Sequence, residues 1–145
     1  MFFLIFRTTS YAQENQSLKG KYIIVLDIQD IATKEVMVAE DAKNLIDVVN
    51  KVIEISDADK VIYIEAIATM LDISLTGLSV QFKPGLNLDE RLKIVSENKF
   101  AKNKASAFTS EQLVRFINKR NARDFVVVGL MAEHCVLETL LEGVK

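Results

Sequence analysis

The stretch Phe125-Val126-Val127-Val128-Gly129-Leu130-Met131-Ala132-Glu133-His134-Cys135-Val136-Leu137 decides how the chain is read. Three consecutive valines after an aromatic residue spell a strand buried on both faces, as in a parallel sheet whose crossovers cover it. Gly129 ends that strand, and the sequence from Glu133 onward reads as the start of a helix. The single cysteine, Cys135, therefore falls where a strand hands over to a helix. A thiol there meets the positive end of a helix dipole and unpartnered backbone N–H groups, and both favour the nucleophilic thiolate. A lone cysteine is also commonly a small buried hydrophobe. Its meaning depends on what lies upstream.

Upstream, Tyr22-Ile23-Ile24-Val25-Leu26 is a continuous run of strand formers, expected to be a central parallel strand. Asp27-Ile28-Gln29-Asp30 follows it, so Asp27 stands where open α/β sheets place their ligand crevice; a loop or N-cap aspartate is the plainer reading. Over Glu40 to Ile55 the apolar residues Leu45, Val48, Val49, Val52 and Ile53 form a helical stripe. Asp57-Ala58-Asp59 makes a turn into a second strand, Val61-Ile62-Tyr63-Ile64. Strand, helix and strand in this order predict a right-handed βαβ unit. Glu65 to Leu88, with the only proline at Pro84, reads either as a long loop over a site or as a concealed short helix. Glu97 to Lys102 leads into a short extended segment, followed by Lys102-Asn103-Lys104-Ala105-Ser106-Ala107-Phe108. Thr109 or Ser110 caps the next helix, whose buried face is Leu113, Phe116 and Ile117, and Asn118 to Asp124 turns the chain into the Phe125 strand.

Half of the 145 residues are hydrophobic, enough for one domain with a real core. Residues 1–20 are set apart as a possible signal-peptide remnant and linker, and 21–145 as the folded domain. Met1 to Phe6 is apolar and Ser10-Tyr11-Ala12 has small residues at the positions a signal peptidase reads, but the basic start is missing. Export and a cytoplasmic protein with an apolar N-terminus both fit. A net charge of -2 with dispersed Lys and Arg gives no basic stripe for nucleic acid. No stretch is long enough to span a membrane. One cysteine and one histidine support neither an internal disulfide nor a multi-histidine metal centre, and no glycine-rich loop marks a nucleotide cofactor.

Three features align in order: Asp27 within Val25-Leu26-Asp27-Ile28-Gln29, Lys102 before Ser106-Ala107-Phe108, and Cys135 within Gly129 to Val136. In these contexts the chain resembles the cysteine hydrolases of the isochorismatase-like superfamily. The resemblance implies a three-layer α/β/α fold on a mainly parallel Rossmann-like sheet, and a catalytic triad of Asp27, Lys102 and Cys135. Lys104 competes for the lysine role, though Lys102 has the family's spacing to Ser106. The resemblance also implies a non-proline cis peptide between Leu130 and Met131, and an oxyanion hole from the N–H groups of Met131 and Cys135. Gln29, Phe108 and His134 are candidate pocket residues. Gln29 fits a buttress, a substrate contact or a solvated loop; Phe108 fits a pocket wall. His134 adjoins Cys135 in sequence, so it does not face the thiol as a dyad partner.

Two departures from the family bear on chemistry. Nicotinamidases in the superfamily bind a metal after the second strand, where this chain has Ile64-Glu65-Ala66-Ile67 without histidine, so no metal or cofactor is expected. Isochorismate-cleaving members often lack the cysteine, so Cys135 favours a small amide or ureido substrate. Relatives also continue past the helix that follows the cysteine, so the last strand-helix portion is expected to be missing and the protein to form a homo-oligomer. The resulting expectation is a cysteine hydrolase cleaving a C–N bond through a thioester. Its rival is a truncated, non-catalytic remnant or binding protein that keeps the fold.

Overall fold

The computed structural model describes residues 18–74, 77–83 and 87–143. The segment read as a signal-peptide remnant, Met1 to Ala12, lies outside the described residues.

Four strands, β1 (Tyr22–Leu26), β2 (Val61–Ala66), β5 (Lys99–Lys102) and β6 (Phe125–Gly129), form one sheet in the order β5-β2-β1-β6, and all its pairings are parallel. Every residue of β1 is buried, as a continuous β-branched run with strands on both sides requires. Its side chains alternate between two cores. Ile23 and Val25 join Val61 and Tyr63 beneath helix α1 (Ala39–Glu54), while Tyr22, Ile24 and Leu26 join Ile62 and Ile64 on the opposite face. α1 meets its core through Ala42, Ile46, Val49 and Ile53, one stripe at helical spacing. The other face is covered by α2 (Glu111–Arg120), through Leu113, Phe116 and Ile117, and by the turn leading into α3 (Leu137–Gly143), through Cys135 and Val136. The result is the expected three-layer α/β/α arrangement.

Ser110, not Thr109, caps α2, its hydroxyl accepting from the Leu113 N–H at 3.5 Å. Asn121 ends that helix in the left-handed region at φ 49°, a position asparagine tolerates.

Three expectations change. β6 reads as a strand buried on both faces, yet all five of its residues are only partly buried, because it is an edge strand paired with β1 alone among the described residues. Glu65 to Leu88 is neither a single loop nor a helix: β2 runs on to Ala66, and β3 (Ala68–Ser74) pairs antiparallel with β4 (Gly77–Lys83) as a separate two-stranded sheet. The register sets Leu71 opposite Val80 and Ile73 opposite Leu78, so the period-two alternation, masked in sequence by interspersed Ser, Thr and Gly, is a hairpin pattern. Finally, the helix expected from Glu133 begins as a π-helical turn, Ala132–Val136, before continuing as α3.

After the hairpin the chain is largely irregular but tied down. Asp89 N–H donates to the Ile28 carbonyl at 2.9 Å, and its buried carboxylate accepts from Arg91 Nε at 2.9 Å and Nη2 at 2.6 Å and from the Thr33 hydroxyl. The Tyr63 hydroxyl bridges the Lys93 carbonyl and the Val95 N–H at 2.7 and 3.0 Å. Side chains here do the pairing that a strand or helix would otherwise provide.

Candidate active site

The chain steps from β1 outward to β2 and β5, then returns to β6 on the other side of β1. Loops leaving the carboxyl ends of β1 and β6 therefore diverge, and that switch point is where an open α/β sheet opens a crevice. Backbone constraints build its floor. The Leu130 N–H donates to the Leu26 carbonyl at 3.0 Å, and the Asp27 N–H to the Ile64 carbonyl at 3.0 Å. Gly129 has φ 139°, and a Cβ placed on it would lie 2.1 Å from the Leu26 carbonyl oxygen, so only glycine lets β6 approach β1 this closely. Asp27 itself has φ 56°, a left-handed backbone that an aspartate accepts more readily than most residues. The peptide between Leu130 and Met131 is cis.

This floor brings together the acid, the lysine and the cysteine from three distant parts of the sequence. Lys102, at the end of β5, has a side chain only 2% exposed, and its Nζ lies 2.9 Å from Asp27 Oδ2. The same ammonium donates to the carbonyls of Lys104 at 3.1 Å and Ala105 at 3.0 Å, so its three protons have three acceptors. Lys104 contributes a carbonyl while its side chain is exposed, so the ion pair with Asp27 is made by Lys102. Asp27 Oδ1 is buried and takes no hydrogen bond of ordinary geometry among the described residues. The partly buried Cys135 thiol interacts with this carboxylate.

The electrostatics differ from the expected preformed thiolate. Burial pushes the Cys135 thiol up, the Asp27 carboxylate raises it further, and Lys102 opposes them without prevailing. Burial also raises the Asp27 carboxyl, against the lowering effects of the Lys102 ammonium and, more weakly, the Cys135 thiol. The cysteine thus keeps the character of a thiol rather than a thiolate, beside the Asp27–Lys102 pair. The helix dipole is a weaker influence than the sequence suggests, because Cys135 sits inside a π-helical turn ahead of a seven-residue helix.

The other sequence candidates separate. Gln29 is 2% exposed, and its side-chain amide donates to the Ala66 carbonyl at 3.2 Å and accepts from the Ala66 N–H at 2.9 Å. It joins the loop after β1 to the end of β2 as a strand would, and the solvated-loop reading falls. Phe108 packs edge-on to Phe125, with ring centroids 6.0 Å apart, at the opposite end of β6 from Gly129. There it lines a cavity of about 230 Å³ with Phe125, Thr139, Leu140 and Gly143. His134 is exposed on the π-helical turn, and its N–H donates to the Met131 carbonyl at 3.1 Å. Met131 is 58% exposed, and its carbonyl also accepts from the Val136 N–H at 3.1 Å. Ser106 sets the turn after Lys102, its hydroxyl accepting from the Phe108 N–H at 3.2 Å.

Sequence reasoning missed two participants. Asp89 organises the segment that crosses the end of β1, and no spacing rule marks it. Thr139 is fully buried and joins Cys135 to the loop after Lys102. Its position four residues after Cys135 is the only hint in the sequence.

Comparison with known proteins agrees with this architecture. An isochorismatase-like hydrolase from Alkaliphilus metalliredigens has a TM-score of 0.64 at 16% identity, over 88% of this chain and 74% of that one. An isochorismatase family protein gives 0.62 at 18% identity, over 87% and 73%. The yeast nicotinamidase Pnc1p bound to the inhibitor nicotinaldehyde gives 0.52 at 14% identity, over 84% and 80%. No curated protein sequence matches. The model of the Isochorismatase domain matches residues 21–145, from just before β1 through the helix after Cys135, and on that match the chain belongs to the isochorismatase family.

Proposed function

We propose that the protein is a metal-independent cysteine hydrolase that cleaves a C–N bond of a small amide or ureido substrate through a thioester on Cys135. The observation that carries this reading is the buried Asp27–Lys102 pair, whose second carboxylate oxygen has no ordinary hydrogen bond and whose carboxylate interacts with the Cys135 thiol. A buried carboxylate with an open lone pair beside a thiol is a proton acceptor in position. In the first step Cys135 Sγ attacks the substrate carbonyl and its proton passes to Asp27. The N–H groups of Met131 and Cys135 receive the oxyanion, a contribution worth about a hundredfold or more in rate. Collapse breaks the C–N bond, and Asp27 returns the proton to the leaving nitrogen. Water then attacks the thioester, giving its proton to Asp27, and breakdown releases the acid product as the proton returns to sulfur. Lys102 lowers the Asp27 carboxyl against the opposing effect of burial and favours negative charge on sulfur during attack.

The fold similarity to a nicotinamidase makes a carboxamide a chemically consistent substrate. The absence of histidine in Ile64-Glu65-Ala66-Ile67 supports chemistry carried by the side chains alone. Gln29, by its pairing with Ala66, acts as a buttress, and His134 is the exposed candidate for a substrate contact at the rim.

The test is to incubate the protein with a panel of small carboxamides and ureido acids, following ammonia or amine release and the intact mass. Turnover with a transient acyl adduct on Cys135, lowered more than about a thousandfold by Cys135→Ala and by Asp27→Asn, is expected. No cleavage of any member, together with a Cys135 whose alkylation is indifferent to Asp27→Asn, overturns the reading and leaves a binding protein of the same fold.

A further inference from the structure

Thr139 stands outside the triad yet touches the backbone of the nucleophile. It is 0% exposed, one helical turn after Cys135. Its hydroxyl donates to the Cys135 carbonyl at 2.7 Å and accepts from the Ala107 N–H at 3.0 Å. The first bond alone is ordinary, since threonines in helices often bond back to the carbonyl four residues earlier. The second is not intrinsic to a helix. It crosses from α3 to the loop whose carbonyls at Lys104 and Ala105 hold the Lys102 ammonium, which in turn holds Asp27. A continuous path of hydrogen bonds and short backbone segments thus runs from Cys135 through Thr139, Ala107, Ala105 and Lys102 to Asp27.

We propose that Thr139 is a positioning residue for the nucleophile: its hydroxyl fixes the turn carrying Cys135 against the loop carrying Lys102, and so sets where the thiol stands relative to Asp27. This rests on the hydrolase reading for its catalytic meaning, but the geometry it asserts does not need a substrate. A hydroxyl satisfied as donor and acceptor in a buried site has one orientation, and each of its two bonds constrains a different element. A valine of the same shape keeps the packing and leaves the Ala107 N–H and Cys135 carbonyl without this partner.

The charged groups acting on the Cys135 thiol are Asp27, from the end of β1, and Lys102, from the end of β5. The experiment is the pH profile of Cys135 alkylation by iodoacetamide in the parent, Thr139→Val and Thr139→Ser, each with and without Asp27→Asn, alongside thermal unfolding. In the parent and Thr139→Ser, Asp27→Asn should move the profile down in pH. In Thr139→Val the profile should already lie roughly half a unit or more lower, and the added Asp27→Asn should move it little, because the thiol is no longer held at the carboxylate. A Thr139→Val protein that melts earlier but keeps the parental profile and its response to Asp27→Asn overturns the proposal. If Thr139→Val does not fold, amide exchange at Ala107 in the parent decides. Exchange that quickens when Cys135 is alkylated supports the coupling, and exchange unaffected by alkylation overturns it. If alkylation behaves as proposed but no amide is cleaved, the hydrolase reading fails while the positioning stands. If cleavage occurs, Thr139→Val should lower kcat about tenfold or more with KM little changed, and Thr139→Ser should restore it.

Discussion

Asp27 and Cys135 make opposite demands on one another, and that opposition gives the sharpest prediction at the residue scale. A carboxylate raises the neighbouring thiol, and the ammonium of Lys102 lowers it. Replacing Asp27 by Asn removes the first influence and keeps the second. Iodoacetamide labelling of Cys135 near neutral pH should therefore become faster in Asp27→Asn while turnover collapses, with circular dichroism and melting temperature close to the parent's, since unfolding would also free the thiol. Lys102→Met acts in the other direction. It removes the counterion of a buried carboxylate, so both the Asp27 carboxyl and the Cys135 thiol should rise and labelling should slow. Its expected stability cost is about 3 kcal/mol in urea unfolding, the low end of the range for breaking a buried pair because Asp27 keeps some exposure. Adding Asp27→Asn to Lys102→Met should return part of that loss, since no unpaired charge is then buried.

At the scale of elements, two joints hold the crevice open in its observed shape. The first is the contact of β6 with β1 at Gly129, where a side chain would strike the Leu26 carbonyl and the positive φ is unfavourable to any other residue. Gly129→Ala should cost more than about 3 kcal/mol, or abolish folding, as read by circular dichroism and denaturant unfolding. The second joint is Asp89, whose carboxyl is held well below the usual carboxylate range, first by the Arg91 guanidinium and also by the Thr33 hydroxyl. An acid lowered on folding lends stability that is fully present above the unfolded value, about 3.8, and is lost as pH falls through the lower folded value. Asp27 has the reverse sign, because its carboxyl is raised: stability from that source falls as pH climbs above about 3.8. Asp89→Asn should thus flatten the acid limb of a plot of melting temperature against pH. It should also lower stability at neutral pH by about 2 kcal/mol, discounted from the buried-pair range because the Arg91 side chain is 39% exposed.

For the whole molecule, the arrangement of the sheet bears on assembly. β6 is an edge strand among the described residues, and beside it Leu137, Leu140 and Leu141 of α3 are 45%, 48% and 51% exposed. An edge strand next to exposed leucines favours association. We propose a homo-oligomer through this side of the protein. Sedimentation velocity at micromolar concentration should give a species larger than the 16.3 kDa monomer, shifted toward monomer by Leu140→Lys. A compact monomer across that range overturns the proposal.

The layers were legible in the sequence, and so were the contexts of the three residues proposed for the site. Tyr22 to Leu26 announces a central strand because a run of β-branched residues is stable only where both faces are covered, and the periodicity of Glu40 to Ile55 announces a helix, though of the stripe read there only Val49 and Ile53 are fully buried, together with Ala42 and Ile46. The contexts of Asp27, Lys102 and Cys135 were likewise legible one at a time. Tertiary structure alone decided that β6 lies at an edge, that the stretch after β2 pairs as a hairpin, and that Phe108 belongs to the far end of β6. It also decided how tightly the Cys135 thiol holds its proton. A thiol's affinity for its proton depends on burial and on charges brought near by other strands, and no local pattern around Cys135 carries that information.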